Sequence, residues 1–177
     1  MMLTIKTGAI RQISSPGTLV FSDGYFGAAA SWSSNGSRIA FAATDAAGDV
    51  TRMRAYVVGA AGGSPVAISQ AFNFLTTAKW SPNGTWIAFD RPASGSDHDL
   101  FLIHPDGSGE VNLTTNFEPG ICCARWSPDS SALVAAGTVS GDDQSYLFIV
   151  PIDGGTIHQV TTVPAMYTDY SWGPAAR

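Results

Sequence analysis

Apolar and polar residues follow one another in short segments along the whole chain. The segment Thr85-Trp86-Ile87-Ala88-Phe89 alternates, and a period of two predicts a strand with one buried face. Apolar runs such as residues 100–103 are as short as strands, and Gly, Pro, Asn and Asp separate them. No stretch of useful length has the period of an α-helix. The pattern therefore predicts an all-β protein.

Tryptophan marks a repeat within these segments. Trp32, Trp80, Trp126 and Trp172 are separated by 48, 46 and 46 residues. The first three open the phrases WSSNGSRIAF, WSPNGTWIAF and WSPDSSALVA, and WGP opens a fourth. Each full phrase predicts the end of one strand, a tight turn and a second strand. A later phrase, such as DLFLIHPDGSGEVNLT, predicts two more strands. Four antiparallel strands in about 45 residues are typical of a β-propeller blade.

The phrases WSPNGTWIAF and DLFLIHPDGSGEVNLT resemble the WD-like repeat of TolB-type β-propellers. The same repeat builds the propellers of prolyl-oligopeptidase-type peptidases. The resemblance covers nearly the whole chain, although Ser34 replaces the usual proline and Ser130 the usual glycine, which predicts distorted turns there. We therefore predict one propeller domain, residues 1–177, with four-stranded antiparallel blades. Its three full blades are residues 28–69, 76–114 and 122–162. Its two partial blades are residues 3–14 and 167–172.

The partial blades leave three ways to complete a ring. The chain could close alone as a small propeller of four blades, one of them incomplete. Two chains could close head to tail as a homodimer with eight blades, within the usual range for propellers. The chain could also be a piece of a longer propeller. Unpaired blade edges invite pairing with another chain, so we expect self-association or a missing remainder rather than closure alone.

Charge and composition exclude several classes of partner. The formal net charge is −5, with nine basic and fourteen acidic residues, and no basic patch suggests nucleic-acid binding. The apolar runs are too short to span a bilayer. The N-terminal residues contain no signal-peptide core. We expect a soluble protein without a membrane or nucleic-acid partner, cytoplasmic by default. The family resemblance would imply the periplasm if a signal had been removed.

If the four strands of a blade are called a to d from the central channel outwards, the loops that join b to c, and d to the a strand of the next blade, lie on one face of a propeller. Their acidic residues would favour a basic partner or a cation, and their aromatic residues suit recognition. Alternatively, the acids are ordinary solvated loop residues and the aromatics fill gaps between blades. The candidate binding residues on this loop face are Asp45, Asp49, Asp97, Asp99, Asp142, Asp143, Phe26, Phe74, Phe117 and Tyr167.

Motifs for enzymatic chemistry are absent from the sequence. There is no GxSxG, HExxH, P-loop or GxGxxG in a βαβ setting. The segment Asp97-His98-Asp99 is the best metal candidate, but the resemblance implies that Asp99 helps to hold its blade. We therefore predict no catalytic residue, no metal and no cofactor. The adjacent Cys122 and Cys123 are expected to be buried and reduced, the alternative being a reactive or metal-binding pair.

The predicted function is a non-enzymatic scaffold that binds a protein or peptide through the acidic, aromatic loop face. The family resemblance carries this prediction, since propellers of the TolB type mediate protein–protein contacts. The alternative is an accessory or vestigial propeller domain of a larger peptidase or hydrolase. A propeller that acts on a carbohydrate or small ligand is a weaker alternative, since no pair of carboxylates with acid and base roles can be identified.

Overall fold

The computed structural model consists of β-strands and the turns between them. It describes residues 2–4, 9–11, 30–44, 51–73, 77–92, 98–115, 117–118, 120–138, 144–167 and 170–173. These residues contain no helix, and hence none that could cross a membrane. A two-stranded antiparallel sheet pairs β1 (Met2–Thr4) with β2 (Ala9–Arg11). The prediction of an all-β chain is confirmed.

Three further sheets each contain four antiparallel strands in chain order. Blade 1 comprises β3 (Ala30–Trp32), β4 (Arg38–Thr44), β5 (Met53–Gly59) and β6 (Val66–Ala67). Blade 2 comprises β7 (Ala78–Trp80), β8 (Ile87–Pro92), β9 (His98–Ile103) and β10 (Val111–Asn112). Blade 3 comprises β11 (Gly120–Trp126), β12 (Ala132–Thr138), β13 (Ser145–Pro151) and β14 (His158–Gln159). These sheets are the propeller blades that the repeat predicts.

The turn after the first strand of each blade is closed by one side-chain arrangement. In blade 2, Ser81 Oγ donates to Asn83 Oδ1 and accepts from the Trp86 N–H. Asn83 Oδ1 also accepts from the Thr85 N–H. Gly84 has φ +78° there, a conformation that glycine adopts without strain. Blades 1 and 3 repeat the arrangement with Ser33 and Asn35, and with Ser127 and Asp129.

The turns with unusual residues keep the same hydrogen bonds, so the prediction that they are distorted is wrong. Ser130 has φ +63°, close to the value of Gly36. The Ser130 hydroxyl accepts a hydrogen bond from the Asn83 N–H at 3.0 Å, which offsets part of the cost of a left-handed conformation in a residue with a Cβ. Ser34, in the position of the usual proline, leaves the Gly36 N–H bonded to the Ser33 carbonyl at 2.8 Å.

Alternation along the strands builds a separate core on each side of blade 2. Ile87 and Phe89 on β8 join the cluster shared with blade 1, whereas Ala88 joins the cluster shared with blade 3. Phe89 is 1% exposed and stacks on Phe101. Burial of one such side chain stabilises the fold by about 1.5–3 kcal/mol. The repeated pattern thus stacks the three blades side by side.

Candidate functional site

The loop face lies largely outside the described residues. Seven of its ten candidates are in segments that the structure does not describe: Phe26, Asp45, Asp49, Phe74, Asp97, Asp142 and Asp143. Their role in binding stays a prediction. Asp99, Phe117 and Tyr167 are described, and their contacts can be compared with the two interpretations of this face.

Asp99 is engaged in hydrogen bonds within its own blade. Its Oδ2 accepts from Asn112 Nδ2 at 2.7 Å, and its Oδ1 accepts from the Thr114 hydroxyl at 2.8 Å. Thr114 is buried, and its Oγ1 also accepts from the Leu100 N–H. Asp99 therefore ties the third strand of blade 2 to the segment that follows the fourth. This contact agrees with the structural role that the family resemblance implies.

The two described aromatic residues of the loop face differ in their surroundings. Phe117 meets Phe148 edge to face, with ring centroids 5.4 Å apart, and packs against the core between blades 2 and 3. The Tyr167 hydroxyl donates to the Val163 carbonyl at 2.8 Å. Phe117 thus fills a gap between blades, while Tyr167 stays partly exposed in a loop of its own.

A second polar region, which sequence reasoning missed, lies along the first strands of blades 2 and 3. We call Lys79, Asp90, His98, Arg125 and Tyr170 the inner-strand cluster. Lys79 and Arg125 each precede the tryptophan of their repeat. Asp90 follows Phe89 on β8 and so lies on the face of blade 2 that packs on blade 3. Its side chain is 1% exposed.

The electrostatics of the cluster combine two cations with one buried carboxyl group. Burial lowers the pKa of Lys79, and the nearby Arg125 lowers the pKa further, while Asp90 acts in the opposite direction. Asp90 Oδ2 lies 3.2 Å from Nδ1 of His98. A buried carboxylate such as that of Asp90 is tolerated where cationic and hydrogen-bonding groups lie close to it. The cluster therefore presents more positive than negative charge at the inner edge of the blades.

Metal ligation receives no support from the described residues. No group of three or more His, Cys, Asp or Glu side chains that could hold an ion occurs among them. Within the metal candidate, His98 turns to Asp90 and Asp99 turns to Asn112. Asp97 lies outside the described residues.

The cysteines form a disulfide between neighbours, so the expectation of two reduced thiols is wrong. That expectation assumed regular alternation of side chains along a strand. A β-bulge between Cys122 and Arg125 interrupts the alternation, and Cys123 has φ +66°. Cys123 is 5% exposed and Cys122 is half-buried. The pair therefore lies at an irregularity that the sequence pattern does not reveal.

Tyr170 occupies the backbone gap that this bulge opens. Its hydroxyl donates to the Cys123 carbonyl at 2.7 Å and accepts from the Ala136 N–H at 3.1 Å. Burial raises the pKa of Tyr170 to about 12. The Arg125 guanidinium lies 5.7 Å from the Tyr170 ring centroid and donates to the Cys123 carbonyl at 3.3 Å. Disulfide, bulge and inner-strand cluster are therefore contiguous.

One sequence signal could have identified the cluster. The residue before each repeat tryptophan is Ser31, Lys79, Arg125 or Ser171, so two neighbouring copies carry a cation where the other two carry serine. Asp90 stands where the repeat has Ala42 and Ala136. Divergence at equivalent positions of a repeat marks residues that the fold itself does not require.

Comparison with solved structures identifies the architecture. TolB from Acinetobacter baumannii is 16% identical, with a TM-score of 0.62, over 77% of this chain and 33% of its own. Oligogalacturonate lyase from Vibrio parahaemolyticus is 12% identical, with a TM-score of 0.67, over 92% of this chain and 47% of its own. The fold is that of a TolB-like β-propeller.

The AtxE2 isopeptidase is a third similar structure, 16% identical with a TM-score of 0.58, over 76% of this chain and 29% of its own. The chain thus spans less than half the length of each of these propeller proteins. No protein-family model matches the sequence, and no curated protein does. Because TolB, a lyase and a peptidase share the TolB-like fold, the fold alone assigns no activity.

Proposed function

We propose that the protein is a non-enzymatic binding scaffold whose partner is a protein or peptide segment. The observation that carries the proposal is that Lys79 and Arg125 are half-buried on the first strands of neighbouring blades, close enough for Arg125 to lower the pKa of Lys79. Desolvated cations in a rigid frame bind carboxylates more strongly than mobile surface cations do. The partner group that reaches the cluster is therefore a carboxylate.

The predicted loop face would add further contacts to the partner in this proposal. Tyr167 would supply apolar contact, and so would Phe26 and Phe74 if they lie on that face as the sequence predicts, as aromatic residues do in many interfaces. Asp45, Asp49, Asp97, Asp142 and Asp143 would favour basic residues in the same segment. A segment that carries both signs of charge meets these requirements.

The proposal is tested on an array of immobilised twelve-residue peptides of varied composition. Wild-type protein is expected to select peptides that carry Asp or Glu together with basic residues. The double variant Lys79→Gln/Arg125→Gln should bind the selected peptides about ten- to a hundredfold more weakly, because charge-assisted hydrogen bonds are lost. The effect is measured by calorimetry with the soluble peptides.

Arg38→Gln is the matched control for this experiment. It also removes one positive charge, but Arg38 lies at the start of β4, 5.1 Å from the Trp80 ring. We expect its affinity to equal that of wild type. Absence of binding to any peptide, or equal losses in the control and the double variant, would contradict the proposal.

An accessory role beside a hydrolase is the second candidate function. Similarity to the AtxE2 isopeptidase, in which the match covers 29% of the chain, favours it. A propeller in this role would control access to a catalytic domain. The test is to express the protein with any α/β-hydrolase encoded beside its gene. Co-purification and a changed preference for substrate size are expected; failure of the two proteins to associate would rule out this role.

A further inference from the structure

Trp32 differs from the other tryptophans of the repeat in what its indole contacts. The Trp80 indole N–H donates to the Gly84 carbonyl of its own turn at 3.2 Å, and the last two indoles donate to a neighbouring blade. The Trp126 indole N–H donates to the Lys79 carbonyl at 2.9 Å, and the Trp172 indole N–H donates to the Arg125 carbonyl at 3.0 Å. In both cases the acceptor is the residue before the tryptophan of the preceding copy. Trp32 is 49% exposed, and no acceptor for its indole occurs in the part of the chain that the structure describes.

A serine makes the corresponding connection between blades 1 and 2. The Ser31 hydroxyl donates to the Ala78 carbonyl at 2.9 Å and accepts from the Trp80 backbone N–H at 2.7 Å. Trp80 is 6% exposed and belongs to the core shared by blades 1 and 2. The contact needs a serine before one tryptophan and the sequence Ala-x-Trp in the next blade.

Blade 1 and the C-terminal segment carry the two halves of the same contact. Ala30 and Trp32 occupy the register positions of Ala78 and Trp80, each pair facing the second strand of its own blade. Ser171 precedes Trp172 as Ser31 precedes Trp32. Ala30, Trp32 and Ser171 are all exposed in the single chain, so the chain does not make this contact with itself.

We propose that the Trp32 side of blade 1 binds residues 170–172 of a second copy of this chain. The Ser171 hydroxyl of that copy donates to the Ala30 carbonyl and accepts from the Trp32 backbone N–H. The Trp32 ring is covered by the incoming segment, as Trp80 is covered by its neighbours. Two copies related by a twofold axis make the contact twice and close one ring.

Light scattering on purified protein tests the proposal. Wild type is expected at twice 18.5 kDa, at concentrations up to about 100 μM, where even a weak dimer is populated. Trp32→Arg should give a single chain, because a charge replaces the residue that is covered. Met166→Arg, at an apolar residue that is 76% exposed elsewhere, should keep the wild-type mass. A wild-type monomer, or a dimer unaffected by Trp32→Arg, would overturn the proposal.

Removing the serine tests the contact itself. Ser171→Ala should weaken the dimer about five- to tenfold, since two hydrogen bonds are lost. Ser31→Ala, which removes the same group inside the chain, should lower the melting temperature and leave the dimer affinity unchanged. Equal dimer affinities for Ser171→Ala and wild type would overturn the serine contact.

Cross-linking separates pairing between chains from closure within one chain. The variant Ala30→Cys/Ser171→Cys is treated with a short bis-maleimide. The native cysteines are joined to each other and do not compete for the reagent. A covalent product with the mass of two chains is expected. Exclusive linkage within one chain would overturn the proposal.

Discussion

The two interfaces between blades are built on the same repeat and differ in their polarity. Between blades 1 and 2 the core is apolar, and Arg91 lies between the Phe72 and Phe101 rings, at 3.9 and 3.7 Å from their centroids. Between blades 2 and 3 the apolar core is joined by the buried Asp90 and the half-buried Lys79. The first interface thus has no counterpart of the buried Asp90 among its described core residues.

Two equivalent positions account for this difference. Blade 1 has Ser31 and Ala42 where blade 2 has Lys79 and Asp90. Buried charges of opposite sign are seldom more stable than the apolar residues that could replace them. Blade 2 therefore keeps two charged residues at positions where blade 1 folds with serine and alanine. This agrees with the binding role that we propose.

The largest expected effect comes from Asp90→Ala, which removes the carboxylate that offsets Lys79. The free energy of unfolding should fall by about 3 kcal/mol, since His98 loses a buried partner and Lys79 loses a nearby opposite charge. The double variant Lys79→Ser/Asp90→Ala copies blade 1 and should lose less than the sum of the single changes, with a coupling of about 1–2 kcal/mol. Urea unfolding measures the free energy of unfolding of Asp90→Ala, Lys79→Ser and the double variant. Simple additivity would show that the two residues are independent.

Tyr170→Phe tests the first strand of blade 3, where the Tyr170 hydroxyl fills the gap at the bulge. The change leaves the Cys123 carbonyl and the Ala136 N–H without this partner, and should cost about 2 kcal/mol. Since the folded-state pKa of Tyr170 is raised to about 12, wild-type stability should also fall as pH rises above about 10, where only unfolded tyrosine ionises. The decrease should be smaller in Tyr170→Phe. An identical alkaline profile for both proteins would contradict this account.

Two glycine substitutions compare turns in which the glycine has a similar positive φ angle. Gly36→Ala and Gly84→Ala both place a Cβ at a positive φ, which should cost about 1 kcal/mol each. A Cβ at Gly84 would also meet Ser34 Oγ at 3.1 Å, whereas a Cβ at Gly36 would have no atom within 4 Å. Gly84→Ala should therefore be the less stable variant by a few tenths of a kcal/mol. The reverse order in thermal unfolding would show that the turns of blades 1 and 2 do not press on each other.

The smallest effect is expected from Asp129→Asn, which makes the third turn match Asn35 and Asn83. Hydrogen bonds from the Ser127 hydroxyl and from Ser131 lower the pKa of Asp129 to about 2. The stability that ionised Asp129 contributes is present above the unfolded pKa near 4 and is lost as pH falls towards 2. The variant should therefore gain on wild type between these pH values in urea unfolding. Parallel profiles would contradict the assigned role of Asp129.

The fold was predictable because its determinants recur. The turn residues Ser81 and Asn83 have counterparts in each full copy, and alternation around Phe89 recurs with them. Local turn chemistry and a two-residue period are properties that sequence reports directly. The candidate site was less predictable. Asp99 was expected to hold its blade and does so, whereas Asp90 and Lys79 were not anticipated as neighbours.

The strands, the turns, the blade repeat and the class of fold can be inferred from the amino-acid sequence, because each depends on residues close together in the chain. Which polar residues meet depends on the folded chain. The bulge at Cys122 and Cys123 lies in the pairing of β11 with β12, and the Tyr170 hydroxyl that fills it comes from 47 residues further along the chain. Lys79 and Asp90 lie on neighbouring strands of blade 2, and the packing of blade 3 against that face leaves Asp90 buried. Such contacts follow from the packing of whole blades, which no local pattern encodes.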